Sequence, residues 1–473
     1  MNGGANMRTA TANGVDPLLC FPVRSNARAR RRALVLVVAA LLAGPYGRDG
    51  VPAEVTGVPP ETFIENCDDA GPGSLRDALT AAVDGQTVSL VHLACSKITL
   101  TSGELTVAAN SLYLQGNGTT ISAGGTSRIL RHHGECTLFL SGLVLAYGYY
   151  TAEWIVAGGC VYSNGAVNAF DVTLRDCTVV PSSPSWAMLL GGGIFARRVT
   201  LTHSTVTGNS IVSPNEADIA EGAGIYASER LDATRTTLSG NDITGPPRNQ
   251  GIAMGGGFFS GGTLELSYSA VVNNRADAAG GGAVFPSDYA GASKIINSTI
   301  SGNEARSLVA GVFSADALME VWNSTIAFNV VNGPETGVSA EDCGGLLATG
   351  GNEYLSLRSS IVADNSTHGA ASDVCGTPYI APIIGFDNLV IASNLPLPSG
   401  TLRDDPQLAP LADNGGHTLT HALRPDSPAI DAGNNTQFLE TDQRGAGRMA
   451  GDRADIGAYE AQPDAIFAGA FEA

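Results

Sequence analysis

The stretch that decides the fold is NSTISGN, Asn297–Asn303, because the chain writes it again 26 residues later as NSTIAFN, Asn323–Asn329. Related phrases precede the pair: HSTVTGN at His203–Asn209, RTTLSGN at Arg235–Asn241 and YSAVVNN at Tyr268–Asn274. Asp176–Val180 (DCTVV) reads as a worn first copy, and Arg358–Asn365 (RSSIVADN) as a last copy with one extra residue. A glycine-rich phrase ending in apolar residues comes before each, such as GGCVY at Gly158, GGGIF at Gly191, GAGIY at Gly222 and GGGFF at Gly255. A unit recurring every ~30 residues, built from strand and turn signals, predicts a solenoid.

The unit is a β unit. In Val199–Val206 (VTLTHSTV), Val199 and Leu201 alternate with threonine, as do Ser204 and Val206, but three steps separate Leu201 from Ser204. Period-2 alternation that breaks parity predicts strand, bend, strand, with both pairs facing inward. No unit carries a ten-residue pattern of period 3.6, which excludes helical repeats.

Stacked coils then place equivalent residues in columns about 4.8 Å apart. Val179, Val206, Leu238, Val271, Ile300, Ile326 and Ile361 form the expected aliphatic stack. Cys177, Ser204, Thr236, Ser269, Ser298, Ser324 and Ser359 form a small polar one. Asn209, Asn241, Asn274, Asn303, Asn329 and Asn365 form a ladder at a turn, where asparagine tolerates left-handed backbone and its amide can bond to the next coil. Ser74–Ala82 (SLRDALTAA) predicts a capping helix with Leu75, Ala78, Leu79 and Ala82 on its apolar face, which protects the end of the solenoid.

Composition agrees with many short strands: 59 glycines, 6% aromatic and 15% charged residues. Net charge is −19 and the only lysines are Lys97 and Lys294, which excludes the basic footprint of a nucleic-acid binder. Arg28, Arg30, Arg31 and Arg32 precede an 11-residue apolar run, Ala33–Ala43, too short to span a bilayer and suited to a secretory signal cleaved between Ala43 and Ala53. No later stretch is long and apolar enough to be a membrane span. Export places the cysteines in an oxidising compartment. Cys67 with Cys95 and Cys343 with Cys375 are the expected bridges, since each pair brackets a loop-rich segment, and an odd count in the mature chain leaves one thiol over.

Cys67–Leu79 (CDDAGPGSLRDAL), the GGGI and NSTISGN repeats and Ser359–Asn365 (SSIVADN) resemble secreted bacterial right-handed parallel β-helix proteins, in the style of pectate-lyase-like folds and polymorphic outer-membrane proteins. Asp404–Asn434 and Thr441–Glu460 (TDQRGAGRMAGDRADIGAYE) resemble the choice-of-anchor module found behind such helices. The ending, PDAIFAGAFEA, has no sortase motif and is similar to short tails of some Gram-negative exported proteins. The expected organisation is a leader with signal peptide over 1–53, an N-terminal cap over 54–96, an all-β right-handed parallel β-helix over 97–400, a small C-terminal module over 401–462 and a tail over 463–473.

Chemistry is less legible. Asp68–Asp69 and Asp404–Asp405 lie in the cap and the C-terminal junction, and His417 and His421 read as packed structural residues. The bend residues Asp176, His203, Arg235, Tyr268, Asn297, Asn323 and Arg358 are expected to project outward as a polar stripe able to contact a glycan. The loops Ser210–Glu221 and Val330–Asp342 form a second candidate face, carrying Glu216, Asp218, Glu221, Glu335, Glu341 and Asp342. No metal site or cofactor is expected, Ca²⁺ being the one cation such carboxylates could hold. The function expected is that of an exported structural or adhesin-like protein, secreted or at the outer cell surface of a Gram-negative bacterium, binding polysaccharide or a cell-surface component. The alternative is a lyase or hydrolase acting on acidic polysaccharide, which rests on likeness of fold.

Overall fold

The computed structural model describes residues 61–183, 186–245, 252–284, 291–315, 318–333, 342–350, 355–376 and 382–462. The leader, Glu335, Glu341 and the tail lie outside the described residues. The chain winds into a parallel β-helix of about ten turns. Among the described residues its strands form one long sheet of 28 strands, a second of 9 and a third of 4.

One coil shows how the sequence makes the turns. Met188–Leu190 lies in the third sheet, a glycine corner follows, and Ile194–Thr202 runs along the long sheet. His203 takes φ 51° and breaks the alternation, Thr205–Thr207 continues, Gly208 takes φ 64°, and Ser210–Val212 enters the second sheet. Val199, Leu201, Ser204 and Val206 are all buried, so the bend turns both pairs inward. Val206, Leu238, Val271, Ile300 and Ile326 stack in register through consecutive coils.

Two polar columns hold the corners. At the bend, each backbone N–H left unpaired by the turn donates to a hydroxyl one coil on: Thr236 N to Ser269 Oγ, Ser269 N to Ser298 Oγ, Ser298 N to Ser324 Oγ. At the second corner, Asn274 Oδ1 accepts from both Asn241 N (3.0 Å) and Asn241 Nδ2 (2.9 Å). Asn274 Nδ2 donates to Leu238 O and to Asn303 Oδ1. The same pattern runs from Asn209 to Asn365, and Asp373 Oδ1 receives the last amide at 2.9 Å. All six asparagines are buried. Each one therefore satisfies backbone groups that the corner removes from water.

The two end copies are out of the register expected. Leu174, not Val179, pairs with Val206, and Asp171 (φ 53°) occupies the bend. Val172 N donates to Ser204 Oγ, so the first copy is Asp171–Cys177. Asp176 (φ 57°) sits at the second corner beside Gly208, Cys177 N donates to Asn209 Oδ1 at the head of the ladder, and Val179 pairs with Ile211 in the second sheet. Both corners are left-handed and five residues apart, and aspartate suits either. At the other end Ile361 pairs with Thr325 and Val362 with Ile326. Ser359 (φ 48°) is the bend residue and Ser360 the small polar one, so the copy has no extra residue and Arg358 belongs to the strand before it.

The helix Leu75–Ala81 covers the first coils, with Ser74 Oγ accepting from Asp77 N and Leu75 and Leu79 buried against the core. At the far end Leu395 and Leu397 pack on the last rungs of that core. Segment 401–462 starts on the last rung, where Leu402 bridges to Leu389, and then runs back along the flank of the coils, as its contacts below establish. Bridges join Cys67 to Cys95, Cys343 to Cys375 and, unforeseen from sequence, Cys160 to Cys177. Cys136 is disulfide-bonded too, so no thiol is left over among the described residues.

Replacing Asn274 with alanine strips the acceptor from two buried donors and the donor from a buried carbonyl. At ~1–3 kcal/mol for each unpaired group, the loss is expected to be about 3 kcal/mol or more. Denaturant unfolding of Asn274→Ala against the parent chain measures it. A loss below about 1 kcal/mol contradicts the ladder's role.

Candidate glycan-facing surface

The bend column does not form an open stripe. Asn297 and Asn323 are buried, because their side chains turn into segment 401–462. Asn297 Nδ2 donates to Thr441 O at 2.7 Å and Asn323 Nδ2 to Asn434 O at 3.1 Å. Ser359 Oγ accepts from Asn434 N, and Thr418 Oγ1 donates to Tyr268 O. The outward column of the strand after the bend is covered as well: Thr299 Oγ1 donates to Gln443 Oε1, and Ala458 N donates to Thr325 Oγ1. His203 and Arg235 lie nearer the N-terminal end; His203 packs against the rings of Phe170 and His417, and the Arg235 guanidinium stands 5.3 Å from the Tyr268 ring centre. Asp176 is at the other corner, ion-paired with Arg175 at 2.6 Å, and Arg358 lies on the outer face of the long sheet. The stripe is thus mainly a docking strip for the chain's own C-terminal segment.

The motif TDQRGAGRMAGDRADIGAYE builds the clamp. Arg448 is buried, its Nη2 donating to Asp455 O and Gly457 O, with Glu460 3.9 Å from its Nε. Glu460 accepts from Ala450 N and Asp455 N, and burial holds its carboxyl up, at about 7. Asp442 accepts from Arg444 N, Ala446 N and Glu460 N. These charges fold the segment on itself and present Gln443 and Thr441 to the bends. His421 is buried, with Nδ1 2.8 Å from Ala409 O and Nε2 2.8 Å from Ser301 Oγ. A carbonyl only accepts, so Nδ1 carries a proton; in the neutral ring Nε2 then accepts from Ser301. Burial depresses its pKa accordingly. His417 and His421 therefore serve different contacts.

The acidic candidates divide in the same way. Asp69 is tied to Arg76 (2.7 Å), Thr101 N and Ser102 N. Asp405 closes a turn on Gln407. Asp218 accepts from Ala187 N and from Ser213 Oγ, which fixes its loop. Asp342 accepts from Leu308 N. Among the described residues no three His, Cys, Asp or Glu side chains converge as metal ligands. Glu221 differs: half-buried beside Leu190 and Met254 of adjacent coils, its carboxyl is pushed up to about 7 by burial. Tyr226 is pushed up to about 12 by burial and then by Glu221.

The outer face of the long sheet carries columns of its own, in which most of the rings are half-buried and Phe259 is buried. Tyr162, Phe195, Tyr226 and Phe259 stack along it with ring centres 4.9–5.3 Å apart, and Tyr113 stacks on Phe139 at 4.2 Å. Charged columns lie beside them: Arg197 with Glu229, Arg230 with Asp232 (2.7 Å) and Glu265 (3.2 Å), Lys294 with Glu320 (3.8 Å). Phe170 (52% exposed) and Tyr113 (41%) remain open to solvent. The sequence carried a signal for the aromatic column, since the last residue of GGGIF, GAGIY and GGGFF is its member each time.

No family model matches the chain, and no curated protein matches it. Among solved structures, the crystal structure of pectate lyase Pel9A matches with a TM-score of 0.41 and 10% identity, covering 85% of this chain and 96% of that one.

Two groups, one buried and one half-buried, give opposite pH dependences. The folded-state pKa of His421 is depressed below 6.5, so its contribution is complete above 6.5 and is lost as pH falls below it. That of Glu221 is raised from 4.5 to about 7, so its contribution is complete below 4.5 and is lost as pH rises through 7. Hydrogen exchange from pH 5 to 8 should show residues 407–424 opening on the acid side and residues 219–226 on the alkaline side. His421→Gln is expected to flatten the first trend and Glu221→Gln the second; unchanged trends in the variants contradict the assignment.

Proposed function

We propose that this chain is an exported, surface-presented β-helix that binds an extended glycan along the outer face of its long sheet. The observation that carries the reading is where the chain's own segments lie. Segment 401–462 occupies the bends, whereas the parallel rungs of the long sheet hold half-buried aromatic and charged side chains in columns, with Tyr113 and Phe170 exposed among them. Rings supply apolar faces or edges, and guanidinium and carboxylate groups supply hydrogen bonds, as sugar recognition requires. The apolar leader-like run and the disulfides support an oxidising, extracellular setting.

The test is incubation of the purified protein with neutral and acidic polysaccharides, with and without Ca²⁺, followed by size-exclusion chromatography of protein and polymer together. Co-elution with at least one polymer of unchanged length is the expected result. Shortening of a polymer favours the lyase or hydrolase alternative instead. Separate elution from every polymer overturns the reading.

A further inference from the structure

One part of the outer face holds hydrogen-bond donors that the protein leaves without acceptors. Strands Ser293–Ile296, Met319–Trp322, Leu355–Arg358 and Ile384–Phe386 lie side by side. Register aligns Lys294, Glu320, Ser356 and Ile384 in one outer column and Ile296, Trp322, Arg358 and Phe386 in the next. Trp322 is 9% exposed, with Lys294 Nζ 5.2 Å from one ring centre and the Arg358 guanidinium carbon 5.7 Å away. The guanidinium also stands 5.8 Å from the Phe386 ring.

Within this grid Trp322 Nε1, Arg358 Nε and Ser356 Oγ are all buried and have no hydrogen-bond partner. A buried donor left unpaired costs ~1–3 kcal/mol, so three on adjacent strands are a standing penalty. Tryptophan and arginine can only donate, so the group that relieves them must be an acceptor. Among the described residues no carboxylate lies within ion-pair distance of Arg358, whereas Glu320 is engaged by Lys294 at 3.8 Å and Glu265 by Arg230 at 3.2 Å. The grid therefore keeps one uncompensated positive charge on a chain of net charge −19. Beside it Ile384 and Phe386, both exposed, offer an apolar platform.

We infer that this grid is a subsite for an oxyanion carried on a sugar, the carboxylate of a uronic acid or a sulfate ester. The inference rests on the glycan-binding reading above and names its specificity. Arg358 grips two oxygens of the anion, as guanidinium does with planar or tetrahedral oxyanions. Trp322 Nε1 and the Ser356 hydroxyl donate to it, and the C–H face of the ring that carries it rests on Phe386. Lys294 holds Glu320 away and adds attraction at longer range.

Affinity electrophoresis of the purified protein tests this, in gels containing polygalacturonate, dextran sulfate or unmodified dextran. Retardation by at least one acidic polymer, beyond that by dextran, is expected. Arg358→Gln should weaken that binding at least about tenfold, the loss of one charged hydrogen bond. Trp322→Phe, which keeps a ring but removes the donor, should weaken it several-fold. Arg275→Gln, which removes an exposed charge on the second sheet, should leave it unchanged. Near-ultraviolet circular dichroism checks that each variant is folded. The polymer whose binding responds to Arg358→Gln identifies carboxylate or sulfate as the anion. Wild-type binding that survives both variants, equal weakening by Arg275→Gln, or retardation by dextran alone overturns the subsite and leaves glycan binding standing. No retardation by any polymer overturns both.

Discussion

The structure depends on the buried side-chain amide at the corner between the long sheet and the second sheet. Turning a chain through that corner takes backbone groups out of both sheets and out of water together. Asparagine resolves this because one side chain accepts two hydrogen bonds and donates two more, matching the groups the corner orphans. With Asn241, Asn274, Asn303 and Asn329 in register, each amide is held by the coil before and holds the coil after. The ladder ends on Asp373 because the final rung needs only an acceptor, and Asp373 Oδ2 then accepts Ala392 N where the chain turns to close the end. The hydroxyl column at the bend works in the same way with a smaller side chain.

Fixed corners make every column predictable, and that regularity is what the C-terminal segment uses. Its contacts to Tyr268, Asn297, Asn323 and Ser359 fall on successive bends, so one irregular segment can follow the solenoid by meeting equivalent groups. The buried knot of Arg448, Glu460, Asp442 and Asp455 gives that segment internal contacts besides those to the coils. Buried charges of this kind are weak evidence for added stability and are better understood as fixing a single arrangement.

Much of the fold was legible in the sequence because its cause is local. The parity break between Leu201 and Ser204 gives the bend, and the Gly-Asn and Asn-Asn endings give the second corner. The two end copies were misread for a physical reason: Asp171 and Asp176 both suit left-handed backbone, and Ile361 imitates the aliphatic position that Val362 fills. The fate of the bend stripe was not legible. Asn297 and Thr441 are 144 positions apart, and nothing near Asn297 records that a distant segment covers it. The outer aromatic and charged columns could have been found by carrying the alternation outward as well as inward.

The central claim is that the asparagine corners are as firmly held as the strands they connect. Hydrogen–deuterium exchange of the intact protein, followed by mass spectrometry on peptides spanning residues 206–211, 238–243, 271–276, 300–305 and 326–331, measures it directly. The account predicts that these corners exchange as slowly as the flanking long-sheet strands. Exchange at the rate of exposed turns, with the strands still protected, would contradict it.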